Sequence, residues 1–349
     1  MPDFAALSLP ILALVFALGA AMVWFAGARL ARYADEISQR TGIGQAVMGV
    51  ILLGAVTSLP EISTTTVATL SGNPGMAINN MLGGIAFQVV VIALADLFVG
   101  KDALTSMVPG PRVILNACVS IVLLVLATIG VMIGDWALPV GFLGSIGFFP
   151  VLIVAVYILC LSQLNREVAV GGWVPAEEAE VEQGELERPS FSNIRLGWAT
   201  AGAAALILAG GTLVTLSAEA IAENTGADTG VVGLTLLAFA TSLPELSTAI
   251  AAVRLRRVEL AIGDILGGNM FDVVLIALID WIDPGEPVLR QVDRGSMTAA
   301  LVAVLLTVLV LIGLVERRDK AKLRMGYDSI AVLVVYAAGI AAITLGPLS

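Results

Sequence analysis

Histidine is absent from all 349 residues. With it go the usual charge switch near neutral pH, the commonest transition-metal ligand and every Ser-His or Cys-His nucleophile pair. Cysteine occurs only as Cys118 and Cys160, both inside apolar runs. They form no disulfide framework or zinc spacing and read as small packed hydrophobes. Charge is scarce, at 13% of residues against about 25% in a soluble domain. No G-x-x-x-x-G-K-[ST] loop is present, so nucleotide-driven work finds no support. The formal net charge is −10 and the few basic residues sit in short loops, which leaves nucleic acid without a footprint. Nothing in the motifs asks for a prosthetic group.

What the chain has is hydrocarbon, 58% of its residues. Runs near 20 apolar residues are long enough to cross a bilayer, and they fall at Leu7–Ala28, Gly42–Leu70, Met76–Phe98, Val113–Ile133 and Val140–Leu164. Five more follow at Leu196–Leu216, Gly230–Val253, Leu260–Ile282, Met297–Val315 and Ser329–Leu345. The first lacks a basic leader, Asp3 being the only early charge, and is too long for a signal-peptide core, so it reads as a helix. The division is therefore residues 1–164, a linker at 165–195, and residues 196–349. The linker carries Glu177, Glu178, Glu180, Glu182, Glu185 and Glu187 and reads as a solvated connection, without the ligand spacing of a calcium loop.

Two stretches organise the rest: Thr57-Ser58-Leu59-Pro60-Glu61 and Thr241-Ser242-Leu243-Pro244-Glu245. Each sets a proline and a carboxylate inside an apolar run. Proline has no N–H, so the carbonyls of Val56 and Ala240, four residues back, lose their helical partners. In hydrocarbon such a defect is tolerated only where protein buries it or water lines it. A carboxylate at a membrane helix centre costs roughly 2.5–3.5 kcal/mol. The same offset that relates these motifs also pairs Thr41-Gly42 with Thr225-Gly226, Gly49 with Gly233, Gly83-Gly84 with Gly267-Gly268, Phe87 with Phe271, and Asp96 with Asp280. The chain is an internal repeat.

Orientation follows from lysine and arginine. With the N-terminus outside, all basic residues except Arg290 and Arg294 face the cytoplasm. Five spans per half is odd, so the second half is inverted relative to the first. Inverted repeats with broken helices characterise secondary transporters, whose sites lie near the midplane. The expected fold is an all-α polytopic membrane protein of ten helices in two inverted five-helix repeats, with discontinuous second, third, seventh and eighth helices and both termini outside, in a plasma or bacterial inner membrane. Its plain apolar surface suits a monomer whose surroundings are the lipid bilayer.

Hard oxygen donors gather at the motifs: the carboxylates of Glu61 and Glu245, the hydroxyls of Thr57, Ser58, Thr241 and Ser242, and the freed carbonyls. Such a set, without nitrogen or sulfur, suits Ca²⁺ and Na⁺. Two opposed glutamates need a divalent ion, several monovalent ions or protons between them. On the third and eighth spans, Asn79-Asn80 and Gly83-Gly84 lead to Gln88, and Gly263-Asp264 and Gly267-Gly268 lead to Asp272. Asp264 and Asp272 are acidic groups within an apolar span and belong inside. Paired glycines read as close helix packing, Asp96 and Asp280 as interfacial structure, and Ser63, Thr64, Ser247 and Thr248 as hydroxyls bonding back to the helix or lining the cavity.

At these residues the chain resembles the cation/calcium antiporter superfamily, its sodium/calcium exchanger branch above all. That family carries two inverted repeats with G-T-S-L-P-E-like motifs on the second and seventh helices and G-N-x-x-G-S-N-x-x-[ND] on the third and eighth. The resemblance implies that Glu61 and Glu245 bind a central Ca²⁺ and share Na⁺. It further implies that the carbonyls of Thr57 and Thr241 ligate ions, that the hydroxyls of Ser58 and Ser242 hold Na⁺, and that Gln88 and Asp272 fill the polar positions of the third and eighth helices. Alternating access, with the first and sixth helices sliding over a fixed core, is also implied. Asn80 and Asn269 keep the pattern. Gly84 and Gly268 stand where the family commonly has serine, Ile85 and Gln88 where it has asparagine, and Asp264 replaces the asparagine of G-N. Losing two neutral hydroxyls weakens Na⁺ more than Ca²⁺. The expectation is Ca²⁺ export against Na⁺, with Ca²⁺/H⁺ exchange on the same scaffold as the alternative. A cation channel is more distant, and an intramembrane enzyme lacks a nucleophile–base pair.

Overall fold

The computed structural model describes residues 4–100, 102–108, 110–139, 145–164, 192–225, 238–283, 286–292, 294–317 and 325–345. The acidic stretch from Glu177 to Glu187 and the first part of the Gly230–Val253 run lie outside the described residues.

A long helix, α1 (Leu9–Thr41), opens with Pro10 in its first turn and ends at Gly42, whose φ of 74° lets its N–H reach the Ser38 carbonyl. The second apolar run is not one helix. It divides into α2 (Gln45–Met48), a π-helical turn (Gly49–Leu53), α3 (Gly54–Thr57) and α4 (Leu59–Leu70), with a 45° bend between the parts before and after Ser58. Next come α5 (Pro74–Asp96), α6 (Arg112–Ile133), a hairpin of β1 (Ala137–Pro139) and β2 (Ser145–Gly147), and α7 (Phe148–Leu164). In the fifth run, expected to be helical from Val140, the first described residues are the strand Ser145–Gly147, whose Ile146 pairs with Leu138.

The second half supplies α8 (Asn193–Thr225), α9 (Ala238–Thr241), α10 (Leu243–Arg254), α11 (Val258–Ile282), α12 (Arg294–Glu316) and α13 (Tyr327–Leu345). The repeat is visible in the backbone. Helices α4 and α10 have 12 residues each and start at equivalent positions. The residues just before them, Ser58 (φ −79°, ψ 5°) and Ser242 (φ −88°, ψ 8°), share one conformation. Proline falls at the second position of both helices, where its missing N–H costs no helical bond.

The third and eighth helices correct the expectation. Both α5 and α11 run unbroken through their glycine pairs, because glycine keeps the N–H that proline lacks and the hydrogen-bond ladder is not interrupted.

Five described helices are long and apolar enough to cross a membrane, six if the bent segment is one span, and α5, α7 and α13 contribute shorter apolar lengths. Outward faces carry Leu14, Leu18, Phe25, Met132, Ile158, Leu159, Trp198 and Val334, the surface a bilayer covers. Cys118 lies on that exposed surface rather than in the packed interior, and Cys160 is half-buried.

Helix α11 is the axis of the packing. It touches α2, the π-helical turn, α3 and α4 on one side, α10 on another, and α5, α6 and α7 elsewhere. Glycine allows the closest crossing: a Cβ on Gly267 would lie 2.4 Å from the Val50 Cα, and one on Gly263 2.7 Å from the Ala46 carbonyl oxygen. Outside this core, α1 and α8 pair with each other, α1 lying on α10 and α8 on α4. The equivalent residues Gly27 and Gly211 make those second contacts, against Ser247 and Pro60.

Asp96 and Asp280 behave as interfacial braces. Asp96 accepts the N–H of Leu104 and of Gly326, both at 2.7 Å. Asp280 accepts the N–H of Val288 at 2.7 Å and that of Gly147. Each carboxylate ties the end of its helix to the connection after it and to a second segment.

Candidate cation site

The breaks in the second and seventh runs set the site. At Ser58 the N–H donates back to Gly54 while the Ser58 carbonyl already receives Ile62, so the chain changes direction without unwinding. Helix α3 ends there, and its C-terminal carbonyls carry the negative end of a helix dipole. Three residues later Glu61 projects from the first turn of α4. In the second half, Ser242 and Glu245 repeat the arrangement on α10, with Leu246 donating to the Ser242 carbonyl at 3.0 Å. The π-helical turn at Gly49–Leu53 was not legible in the sequence. Its residues include Gly49, whose missing side chain admits the α11 backbone, and that close approach is the one signal that could have suggested it.

The structure brings acidic side chains together. Glu245 lies within electrostatic range of Glu61, Asp264 and Asp272, and Glu61 within range of Asp272. All four are buried: Glu61 is 9% exposed, Asp272 1%, and Glu245 and Asp264 not at all. Gln88 donates its Nε2 to Asp272 Oδ2 at 2.7 Å. Ser58 faces Asp272, and a Cβ on Gly268 would lie 3.7 Å from both Ser58 Oγ and Gln88 Oε1. Thr57 and Ser242 are buried with them. Thr241 closes α9 immediately before the second break. Asn80 lies on α5, and its side chain is outside the described residues. The glycine pair on α11 divides its work, Gly267 packing on Val50 and Gly268 facing the polar groups.

The remaining hydroxyls act mostly within their own helices. Thr64 bonds the Glu61 carbonyl and Ser247 the Pro244 carbonyl. Thr248 additionally reaches Asp264.

The buried polar atoms without a hydrogen-bond partner matter most. Both carboxylate oxygens of Glu61, both of Glu245, Asp272 Oδ1 and Gln88 Oε1 are buried without a hydrogen-bond partner among the described residues. All six are acceptors, and the hydroxyls of Ser58 and Ser242 and the amide of Asn269 are buried without a partner as well. A buried acceptor left unpaired costs about 1–3 kcal/mol, more when charged, so six together call for an electrophile that supplies no lone pairs of its own. A hard cation meets that description. Among the described residues no three acidic side chains close on one point as a metal cluster, so an ion held here would need carbonyl, hydroxyl or amide oxygens as well.

The sequence comparison decides the family. The profile described as "Sodium/calcium exchanger protein" matches residues 11–161 and 196–345. The chain belongs to the sodium/calcium exchanger family. Its relatives include the "Inner membrane protein YrbG" of Escherichia coli, 26% identical over 293 residues, which are 83% of this chain and 86% of that one. The "Putative antiporter CaxA" of Alkalimonas amylolytica is 28% identical over 291 residues, 82% and 85% of the two chains. A solved structure of the sodium-calcium exchanger NCX_Mj superposes with a TM-score of 0.69 at 20% identity, covering 96% of this chain and 99% of that chain. The fold is that of the family, and this member is an integral, multi-pass membrane protein of a cation/calcium antiporter superfamily.

Proposed function

We propose that the chain is a secondary antiporter that exports Ca²⁺ in exchange for Na⁺ by alternating access, with the ions held at midplane between Glu61 and Glu245. The observation that carries this reading is the set of six buried acceptor oxygens that have no hydrogen-bond partner among the described residues, on Glu61, Glu245, Asp272 and Gln88. They come from both repeats and pair as equivalents, Glu61 with Glu245 and Gln88 with Asp272. Ser58, Ser242 and the carbonyls of Thr57 and Thr241 complete the proposed ligand set; Asn80 and Asp264 are the further candidates of the sequence, and both Asp264 oxygens already meet hydroxyls.

Antiport follows from electrostatics. Carboxylates this close repel in a medium of low dielectric, so a site emptied of cations is too costly to pass between the two faces of the membrane. A Ca²⁺, or the Na⁺ that replace it, removes that cost. The protein then crosses loaded in each direction, and the printed name of the Alkalimonas relative, an antiporter, agrees. The ten-span inverted arrangement, the N-out and C-out orientation, the acidic linker at 165–195 on the cytoplasmic side and the inner-membrane location remain parts of this proposal. The lysine and arginine distribution supports the orientation, and the E. coli relative's description supports the location.

Ca²⁺/H⁺ exchange is the second reading, favoured by one observation. Gly84 and Gly268 bring no hydroxyl to a place where Na⁺ would use one, and the space beside Gly268 is open to 3.7 Å. The test is ⁴⁵Ca²⁺ uptake into proteoliposomes loaded with Na⁺, repeated with a proton gradient alone, and with Glu245→Gln as the control. Uptake driven by outward Na⁺ and lost in the variant supports the sodium reading. Uptake on the proton gradient alone moves the assignment to Ca²⁺/H⁺ exchange. Failure under both removes Ca²⁺ as cargo.

A further inference from the structure

Asp264 differs from its acidic neighbours because neither of its oxygens is open. It is fully buried on α11. The Thr57 hydroxyl lies 3.4 Å from its Oδ1, and the Thr248 hydroxyl donates to its Oδ2. The two donors belong to different halves of the chain. Thr57 is the last residue of α3, at the first break. Thr248 stands three residues after Glu245 on α10 and so shares its face. The backbone of Asp264 is clasped as well: a Cβ on Gly49 would lie 2.7 Å from its nitrogen, and one on Gly54 3.3 Å from its carbonyl oxygen.

Resting on the reading of the central oxygens as a cation site, we propose that Asp264 is the positioning residue of that site. It fastens both proline-broken segments to one point on α11 and so fixes the spacing of Glu61 and Glu245. A carboxylate has two acceptor oxygens, whereas an asparagine has one and can hold only one of the two hydroxyls. Both hydroxyls also have acceptors within their own helices, the nearer one in the case of Thr57. Thr57 Oγ1 lies 3.0 Å from the Leu53 carbonyl, and Thr248 Oγ1 lies 3.0 Å from that of Glu245. When Asp264 is replaced, each hydroxyl returns to its own backbone. Neither hydroxyl is stranded, so the fold is expected to survive while the tie between the halves is weakened.

The test is a double-mutant cycle in the full-length protein, with Asp264→Asn and Thr248→Val. Each single variant is expected to raise the Ca²⁺ concentration for half-maximal uptake about tenfold, within the range of couplings between contacting residues, while the maximal rate stays within about twofold. The double variant should be no worse than either single. Additive losses would overturn the proposal by making the two residues independent. Complete loss of uptake in Asp264→Asn, equal to that of Glu245→Gln, would overturn it by making Asp264 a ligand. The same cycle is read as melting temperature of the ion-free protein in detergent, where coupling does not depend on the cargo. Coupling there without any Ca²⁺ uptake by the unmodified protein supports the tie and defeats the Ca²⁺ assignment alone. No coupling there defeats the tie.

Discussion

Gln88 and Asp272 occupy equivalent positions in the two halves, 184 residues apart, and hydrogen-bond each other at 2.7 Å. Two copies of one position can meet only near the axis that relates the copies, so in the proposed inverted repeat this bond would lie on the pseudo-twofold axis. Glu61 and Glu245, also equivalent, lie within electrostatic range of each other. A prediction follows from that symmetry. Gln88→Asp alone sets two carboxylates in contact and should abolish ⁴⁵Ca²⁺ uptake. Asp272→Gln alone removes an acidic group and should raise the half-saturating Ca²⁺ concentration by at least about tenfold, some 1.4 kcal/mol. The exchanged pair, Gln88→Asp with Asp272→Gln, restores one amide and one carboxylate on the same axis. It should recover uptake to within a few-fold of the original. Failure of the exchanged pair to improve on its two single variants would mean the halves are not interchangeable here.

The glutamates should separate stability from function. Four carboxylate oxygens on Glu61 and Glu245 are buried without donors, and a neutral amide in place of either relieves their mutual repulsion. Glu61→Gln and Glu245→Gln are each expected to eliminate measurable ⁴⁵Ca²⁺ uptake. The melting temperature of the ion-free protein should hold or rise by a few degrees. Added Ca²⁺ should stabilise the unmodified protein, since a ligand bound only to the folded state adds to its stability, and should leave both variants unmoved. A fall in the ion-free melting temperature of either variant would argue that the carboxylates serve folding rather than cargo.

Adjacent glycines on α11 give a built-in control. Gly268 faces Ser58 and Gln88 with its nearest neighbours at 3.7 Å, whereas a Cβ on Gly267 would lie 2.4 Å from the Val50 Cα. Gly268→Ser therefore fits and brings a hydroxyl to the polar cluster. It should lower the Na⁺ concentration needed to drive or compete with Ca²⁺ uptake, by several-fold, since one neutral hydrogen-bonding group contributes about 1 kcal/mol. Gly267→Ser forces α11 away from the π-helical turn and should lower the melting temperature or prevent purification, as overpacking typically costs about 1–3 kcal/mol. Equal effects of the two serines would contradict the geometry.

Much of this was legible in the residues themselves, for identifiable reasons. The proline in each T-S-L-P-E motif removes a donor wherever it falls, so both breaks could be placed before any coordinates. The carboxylates could be placed inside because hydrocarbon admits them nowhere else. The glycine pairs read as close packing, and Gly267 on Val50 and Gly263 on Ala46 make that contact; the breaks expected in the third and eighth helices do not form, because nothing there removes a backbone donor. The π-helical turn at Gly49–Leu53 leaves no compositional mark because it is set by packing on α11. The role of Asp264 was hidden for a similar cause: sequence placed it within the span but not between Thr57 and Thr248, which approach it only after both halves fold.

Asp96 and Asp280 make the last prediction, and it is opposite in kind. Each accepts two backbone N–H groups from connecting segments, far along its helix from Gln88 and Asp272. Alanine at either position strands two buried donors, at about 1–3 kcal/mol each. Asparagine keeps one acceptor oxygen and strands only one. The expected order of melting temperature is therefore aspartate, then asparagine, then alanine, at both positions, with the two alanine variants alike because the contacts are repeated in the two halves. The half-saturating Ca²⁺ concentration should stay within about twofold of the original wherever the protein folds, because neither residue reaches the central oxygens. Thermal melting and ⁴⁵Ca²⁺ uptake on the same preparations check both halves of the statement. A change in affinity at unchanged stability would move these two aspartates from the frame of the protein into its ion pathway.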